Sequence, residues 1–174
     1  MKRVENIGNQ DFERSLYKMI KILFICHGNI CRSPMAEFIM KDTLTRKHLQ
    51  DQFYIASAAT STEEIWNGVG NPVYPPAREE LAKHGISCDG KRAVQVTKAD
   101  YQKYDYLICM DSNNIRNLMR IIGKDPDNKV SLLLDYTDRK GASIADPWYT
   151  GNFTATYRDI VDGLDGFMKY LGLS

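Results

Sequence analysis

Cysteine is scarce in this sequence: Cys26, Cys31, Cys88 and Cys109 are the only four in 174 residues. That is too few for a disulfide scaffold, and no two stand at the C-x-x-C spacing of a zinc site. Long apolar runs are also missing. Nothing approaches the roughly 18 consecutive apolar residues of a membrane span, and the opening segment MKRVENIGNQDFERSLYK has no apolar stretch of the kind a secretory signal needs. The chain therefore reads as cytoplasmic, with no membrane partner. Neither sign of charge dominates: 23 Lys and Arg face 22 Asp and Glu. Nothing general attracts nucleic acid or an acidic lipid surface, so any anion site has to be built locally.

With 43% hydrophobic and 26% charged residues, the chain can bury one core, and its length suits a single domain. Residues 1–18 are polar, without apolar periodicity, and read as an extension; Met19 is a candidate start for a domain over 19–174. Ile20 to Cys26 is a short apolar run suited to a buried parallel strand. After the turn HGNICR, Ser33 is a candidate helix cap and Pro34 a first-turn residue. That helix is expected to reach about Lys47, burying Met35, Ile39, Met40 and Leu44. Phe53 to Ala59 reads as a second strand and Arg78 to His84 as a helix ended by Gly85. Tyr104 or Asp105 to Met110 gives a third strand, followed by a helix capped by Asp111 or Ser112 and closed by Gly123. Val130 to Leu134 gives a fourth strand, and Phe153 to Leu171 a last helix with Gly172 beyond it. The alternation predicts a four-stranded parallel α/β sheet with helices on both faces and its crevice at the carboxyl ends of the strands.

The chemistry-bearing residues cluster at the first of those ends. Cys26 closes the first strand and Arg32 stands six positions on, where a helix begins. A strand-to-helix turn can aim successive N–H groups inward, and the helix amino end adds partial positive charge. The loop His27, Gly28, Asn29, Ile30, Cys31, Arg32 can thus cradle a tetrahedral dianion. Gly28 allows a tight turn, Arg32 offers a planar fork for two phosphate oxygens, and the positive field favours a thiolate at Cys26 that can attack phosphorus. The Cys-x5-Arg spacing alone arises readily by chance, and a cysteine ending a strand is usually a small buried hydrophobe. Here strand, glycine turn and helix start coincide with it. Asp146-Pro147 by itself marks no more than a turn.

These residues resemble a known family. CHGNICRSPMAE, from Cys26 to Glu37, is similar to the signature of the low-molecular-weight protein tyrosine phosphatases, and DPWY, from Asp146 to Tyr149, is similar to their second motif. Shorter matches lie at Ser57 to Thr60, Trp66 to Gly70, His84 to Ile86 and Cys109 to Asn113. The resemblance runs from about Met19 to the C-terminus and implies a flavodoxin-like domain of the phosphotyrosine phosphatase I type, with neither metal nor cofactor. It implies Cys26 as nucleophile, Arg32 as phosphate clamp, and Asp146 as the acid for the tyrosyl oxygen and then the base for water. Asn29, Ser33, Ser57 and His84, otherwise plain turn, cap, strand and helix-end residues, become the network holding the loop. Ser33 also assists the thiolate as a leaving group.

Trp66, Trp148 and Tyr149, otherwise packing aromatics, become walls of a slot deep enough for a phenyl ring. Arginine phosphatases of the family carry threonine where this chain has Ile30, and an apolar side chain there suits an aryl ester. Cys31, otherwise a spectator thiol, becomes the partner that traps an oxidised Cys26 as a disulfide. The implied substrate is a tyrosine-phosphorylated protein, with a bacterial tyrosine kinase among the candidate partners. Two stretches depart from the family pattern: His27, read here as facing solvent, and Val73-Tyr74-Pro75-Pro76-Ala77, where many relatives have Asp-Pro-Arg. A thiol-linked arsenate reductase shares the loop but needs a downstream redox pair, which Cys88 and Cys109 are poorly spaced to supply. A non-catalytic phosphotyrosine-binding module would need neither nucleophile nor acid.

Overall fold

The structure is a computed structural model that describes residues 18–173; the expected extension, apart from Lys18, lies outside the described residues. Strand β1 (Ile20–Cys26) is the hub. It pairs in parallel with β2 (Phe53–Ala59) on one side, from Ile20 opposite Phe53 to Cys26 opposite Ala59. On the other side it pairs with β5 (Tyr106–Cys109), whose outer neighbour is β6 (Val130–Leu132). The order β2-β1-β5-β6 sends the connections after β1 and β5 to opposite faces of the sheet. Between β2 and β5 lies a two-stranded hairpin, β3 (Ile65–Trp66) and β4 (Val69–Gly70). Its turn, Asn67-Gly68, has both residues at positive φ, the geometry a two-residue hairpin requires.

Side-chain alternation along β1 builds two cores. Ile22, Phe24 and Cys26 face one cluster; Leu23 and Ile25 face the other. The first is covered by α1 (Arg32–Arg46), α2 (Pro75–Lys83) and α6 (Phe153–Tyr170), and the second by α3 (Asp100–Lys103) and α4 (Ser112–Ile122). In α1 the residues expected to be buried, Met35, Ile39, Met40 and Leu44, are buried. Helix α4 starts at Asp111, whose side chain accepts from Asn114 N at 2.7 Å in a reciprocal capping box. In α6, Ile160, Leu164, Phe167 and Met168 are buried, while Tyr157, Val161 and Leu171 are half-buried at the edge.

Several boundaries differ from expectation. Ser33 does not cap α1: the helix starts at Arg32 and its N-cap, Cys31, makes no side-chain bond. The hydroxyl of Ser33 is directed at the sheet instead. Helix α2 begins at Pro75 rather than Arg78, because prolines in the first turn lack only N–H groups that have no helical partner there. Strand β6 stops at Leu132: the Asp135 carboxylate accepts from Leu132 N at 3.0 Å and folds Leu133–Tyr136 into a 3-10 turn that keeps Leu133 and Leu134 buried. Among the described residues, no helix is long and apolar enough to cross a membrane.

Candidate active site

The loop between β1 and α1 hangs from its carbonyls. Cys26 O accepts from Thr60 N, His27 O from Ser61 N, Ile30 O from Tyr74 N and Cys31 O from Met35 N, all at 2.9–3.1 Å. In a planar trans peptide the N–H after each carbonyl points the opposite way. Anchoring these four outward therefore turns the N–H groups of His27, Gly28, Cys31 and Arg32 toward the inside of the loop. The left-handed residue that closes the turn is Asn29, at φ 59°, and not Gly28. Gly28 answers a different need: a Cβ there would come within 3.2 Å of Glu64 Cγ on the segment packed over it.

The side chains of Asn29 and Ser33 orient the Cys26 thiol. Asn29 Oδ1 accepts from Val94 N at 3.1 Å, which fixes which way the amide faces. Its Nδ2 then donates to Ser33 Oγ at 2.8 Å and to Ser57 Oγ at 2.9 Å. Because Ser33 Oγ already accepts from Asn29, its own proton is free for Cys26 Sγ, 3.0 Å away. Ser57 in turn donates to Glu37 Oε1 at 2.6 Å. Behind it, Lys91 Nζ donates to Ser57 O at 2.9 Å and stands 3.6 Å from Glu37 Oε1, and Lys41 also pairs with Glu37. Glu37 and Lys91 are thus part of the scaffold, although a charged residue on a helix or in a polar loop carries no sequence mark of burial.

Arg32 is 2% exposed, yet its charge is well supported. Nη1 donates to Asp111 Oδ2 at 2.7 Å and to Ile144 O at 2.8 Å, and Nη2 lies 3.4 Å from Asp146 Oδ2. Burial works against the cation, but Cys26, Asp111 and Asp146 outweigh it and hold the guanidinium above its ordinary range. Asp146 is the N-cap of the short helix α5 (Pro147–Thr150), its Oδ1 accepting from Trp148 N at 3.1 Å. The Asp-Pro turn signal and the candidate acid are therefore one feature. Asp111 serves both as helix cap and as a support of Arg32.

These groups meet around one cavity of about 140 Å³, lined by Cys26, His27, Gly28, Ile30, Cys31, Arg32, Asp146, Trp148 and Tyr149, together with Glu63 and Glu64. The slot differs from expectation on one side. Trp66 stands 73% exposed on the hairpin and is not part of the lining; Glu63 and Glu64, just ahead of it, are. His27 does not simply face solvent, since its Nε2 lies 2.9 Å from Glu63 Oε2. The departing segment at 73–77 has its own role, with the Tyr74 ring 4.9 Å from that of Trp148.

His84 is not brought to the loop. It ends α2, stacks on Tyr157 at 3.8 Å and approaches Glu80 at 3.6 Å, bonding neither Asn29, Ser33 nor Ser57. The cation that does reach this network is Lys91, bonded to Ser57 O. All four cysteines are free. Burial, reinforced by Cys26 and Asp146, pushes the Cys31 thiol up and favours its neutral form. Cys88 and Cys109 are buried and line no part of the cavity, so the arsenate-reductase relay gains no support.

The family model described as low molecular weight phosphotyrosine protein phosphatase matches residues 21–173. The chain belongs to this family. The low molecular weight protein-tyrosine-phosphatase YfkJ of Bacillus subtilis is 40% identical over 148 residues, covering 84% of this chain and 92% of that one. The Gallus gallus low molecular weight phosphotyrosine protein phosphatase is 40% identical over 153 residues, covering 85% and 93%. The crystal structure of Bacillus subtilis YfkJ superposes with a TM-score of 0.82 at 37% identity, over 89% of this chain and 96% of that one. Identity at this level over nearly the whole described domain carries the flavodoxin-like phosphatase fold to this chain, with its crevice where β1 ends.

Proposed function

We propose that this chain hydrolyses phosphotyrosine in proteins through a cysteinyl-phosphate intermediate. The observation that carries the reading is the meeting of Cys26, Arg32 and Asp146 around one small cavity with an aromatic wall. In the first step Cys26 Sγ attacks phosphorus, an S–P bond forms, and the P–O bond to the ring breaks. Asp146 gives its proton to the departing tyrosyl oxygen. Arg32 and the inward N–H groups hold the equatorial oxygens in place through the in-line displacement. In the second step water attacks phosphorus, Asp146 takes its proton, and the S–P bond breaks. The returning thiolate receives the Ser33 hydroxyl bond. Ile30, Trp148 and Tyr149 take the phenyl ring, which reaches deeper than a serine stem. The domain over 19–174 is the catalytic unit, working in the cytoplasm, where thiols stay reduced.

The test is turnover of a phosphotyrosine peptide and of p-nitrophenyl phosphate. Cys26→Ser should abolish both, since a hydroxyl is a far weaker nucleophile. Asp146→Asn should slow the peptide roughly a hundred- to ten-thousandfold but p-nitrophenyl phosphate much less, because nitrophenolate leaves without a proton. Equal losses on the two substrates would mean that Asp146 positions rather than protonates. We further propose that Cys31 protects Cys26 from oxidation by condensing with its sulfenic acid, releasing water and forming a disulfide that thiols reduce. Cys31→Ser should then keep its activity in reductant yet fail to recover after mild peroxide. Equal recovery of both proteins would make Cys31 a packing residue.

A further inference from the structure

A second cavity, of about 650 Å³, opens beside the catalytic one and shares Ile30, Glu64 and Trp148 with it. A substrate whose phosphotyrosine fills the first cavity can lay a neighbouring residue in this groove, because the two share part of their lining. Its lining is in part aromatic and apolar, with Tyr74 packed against Trp148 and Ile30 among them. It also carries the carboxylates of Glu64 and Glu79. Among the described residues, the groove's one cation is Arg78, which shares its charge with Asp89 in an exposed pair at 2.9 Å. Glu64 accepts a bond from the Asn71 amide at 2.7 Å, a neutral partner, and is in no ion pair among the described residues. Among the described residues, Glu79 is in no ion pair at all. The balance of charged side chains lining the groove is therefore negative.

We propose that this groove is a subsite for an arginine or lysine flanking the phosphotyrosine of the protein substrate. The inference rests on the phosphatase reading of the adjoining site and names the substrate class it selects. A long basic side chain matches both kinds of lining. Its aliphatic stem lies along Ile30, its cationic head faces the Tyr74 and Trp148 rings, and Glu64 and Glu79 supply the counter-charge. An acidic flanking residue meets two carboxylates and only one cation, Arg78, whose charge Asp89 already shares. Segment 73–77, where the chain departs from its family pattern, is thereby a substrate-contacting wall, because Tyr74 both anchors the phosphate loop through Ile30 O and backs Trp148.

The experiment compares kcat/KM for phosphotyrosine peptides with arginine, alanine or glutamate placed immediately before or after the phosphotyrosine, with p-nitrophenyl phosphate as a reference. At low salt the arginine peptide should exceed the glutamate peptide by roughly three- to twentyfold, the product of one cation–π contact and one exposed ion pair. The ratio should fall as salt rises. Glu79→Gln and Glu64→Gln should each reduce it in low salt. Equal rates, a preference for glutamate, or a ratio unmoved by salt and by both variants would overturn the subsite while leaving the phosphatase reading intact. Failure to hydrolyse any of the substrates, p-nitrophenyl phosphate included, would overturn both.

Discussion

At the scale of single residues, the site turns on proton direction. Asn29 can give to Ser33 and Ser57 only because Val94 N holds its oxygen, and Ser33 can give to Cys26 only because Asn29 fills its acceptor side. The far end of the chain is Glu37, steadied by Lys41 and Lys91, of which Lys91 is the more enclosed at 12% side-chain exposure against 44%. Lys91→Met should lower kcat on p-nitrophenyl phosphate roughly tenfold to a hundredfold, the scale of a small displacement of a reacting group, and Lys41→Met by less. Burial lowers the Lys91 pKa more than Glu37 raises it. As pH rises through that lowered pKa, the ammonium and its hold on Glu37 are lost. Wild-type activity should therefore fall on the alkaline side, below the ordinary lysine range, and Lys91→Met should lack that limb. Identical alkaline profiles would remove Lys91 from the network. The meeting of Cys26 and Arg32 is legible from strand end, turn and helix start, and Asp146 from the resemblance of its motif alone. Lys91 is not, because nothing local distinguishes a lysine that turns inward from one that is solvated, and His84 was assigned its place on a motif match rather than on reach.

Among the elements, strands and long helices follow from pattern: β1, β2 and α4 lie close to where short apolar runs and cap residues put them. What periodicity cannot convey is how closely two elements approach. Helix α6 carries Gly163 and Gly166 in its interior, where each weakens a helix by about 1 kcal/mol relative to alanine. Their reason is the 3-10 turn at Leu133–Tyr136. A Cβ on Gly166 would sit 2.1 Å from Tyr136 O, and one on Gly163 would sit 2.5 Å from Leu133 Cγ. Backbone cannot yield as a side chain can. Gly166→Ala should therefore destabilise by about 1–3 kcal/mol despite its better helix propensity, and Gly163→Ala by less, because Leu133 can repack. Urea midpoints at unchanged slope would check the order. A Gly166→Ala protein as stable as wild type would show that α6 is free to move off the turn. The short hairpin and α3 escaped periodicity for a different reason: two to four residues are too few to define a period.

For the molecule as a whole, Arg32 is the tie between its halves. It belongs to α1, yet its guanidinium reaches Asp111 at the start of α4, the carbonyl of Ile144 and Asp146 at the start of α5. The sheet order makes this possible, because β1 lies next to β5 and the loops following both strands open on the same edge. An oxyanion in the loop adds contacts to a cation that already joins the N-terminal loop to C-terminal segments, so occupancy of the site should stabilise the entire domain. Inorganic phosphate at about a hundred times its Kd should add about 2.7 kcal/mol, raising Tm by roughly 5–10 °C for a domain of this size. Cys26→Ser should keep that shift, since the N–H cradle and Arg32 are intact. Arg32→Met should lose most of it. Each variant is compared with its own phosphate-free baseline, because removing Arg32 also strands Asp111 and Asp146 and lowers the starting Tm. A phosphate shift in Arg32→Met as large as in wild type would mean that the loop amides alone hold the anion and that Arg32 is chiefly a structural tie.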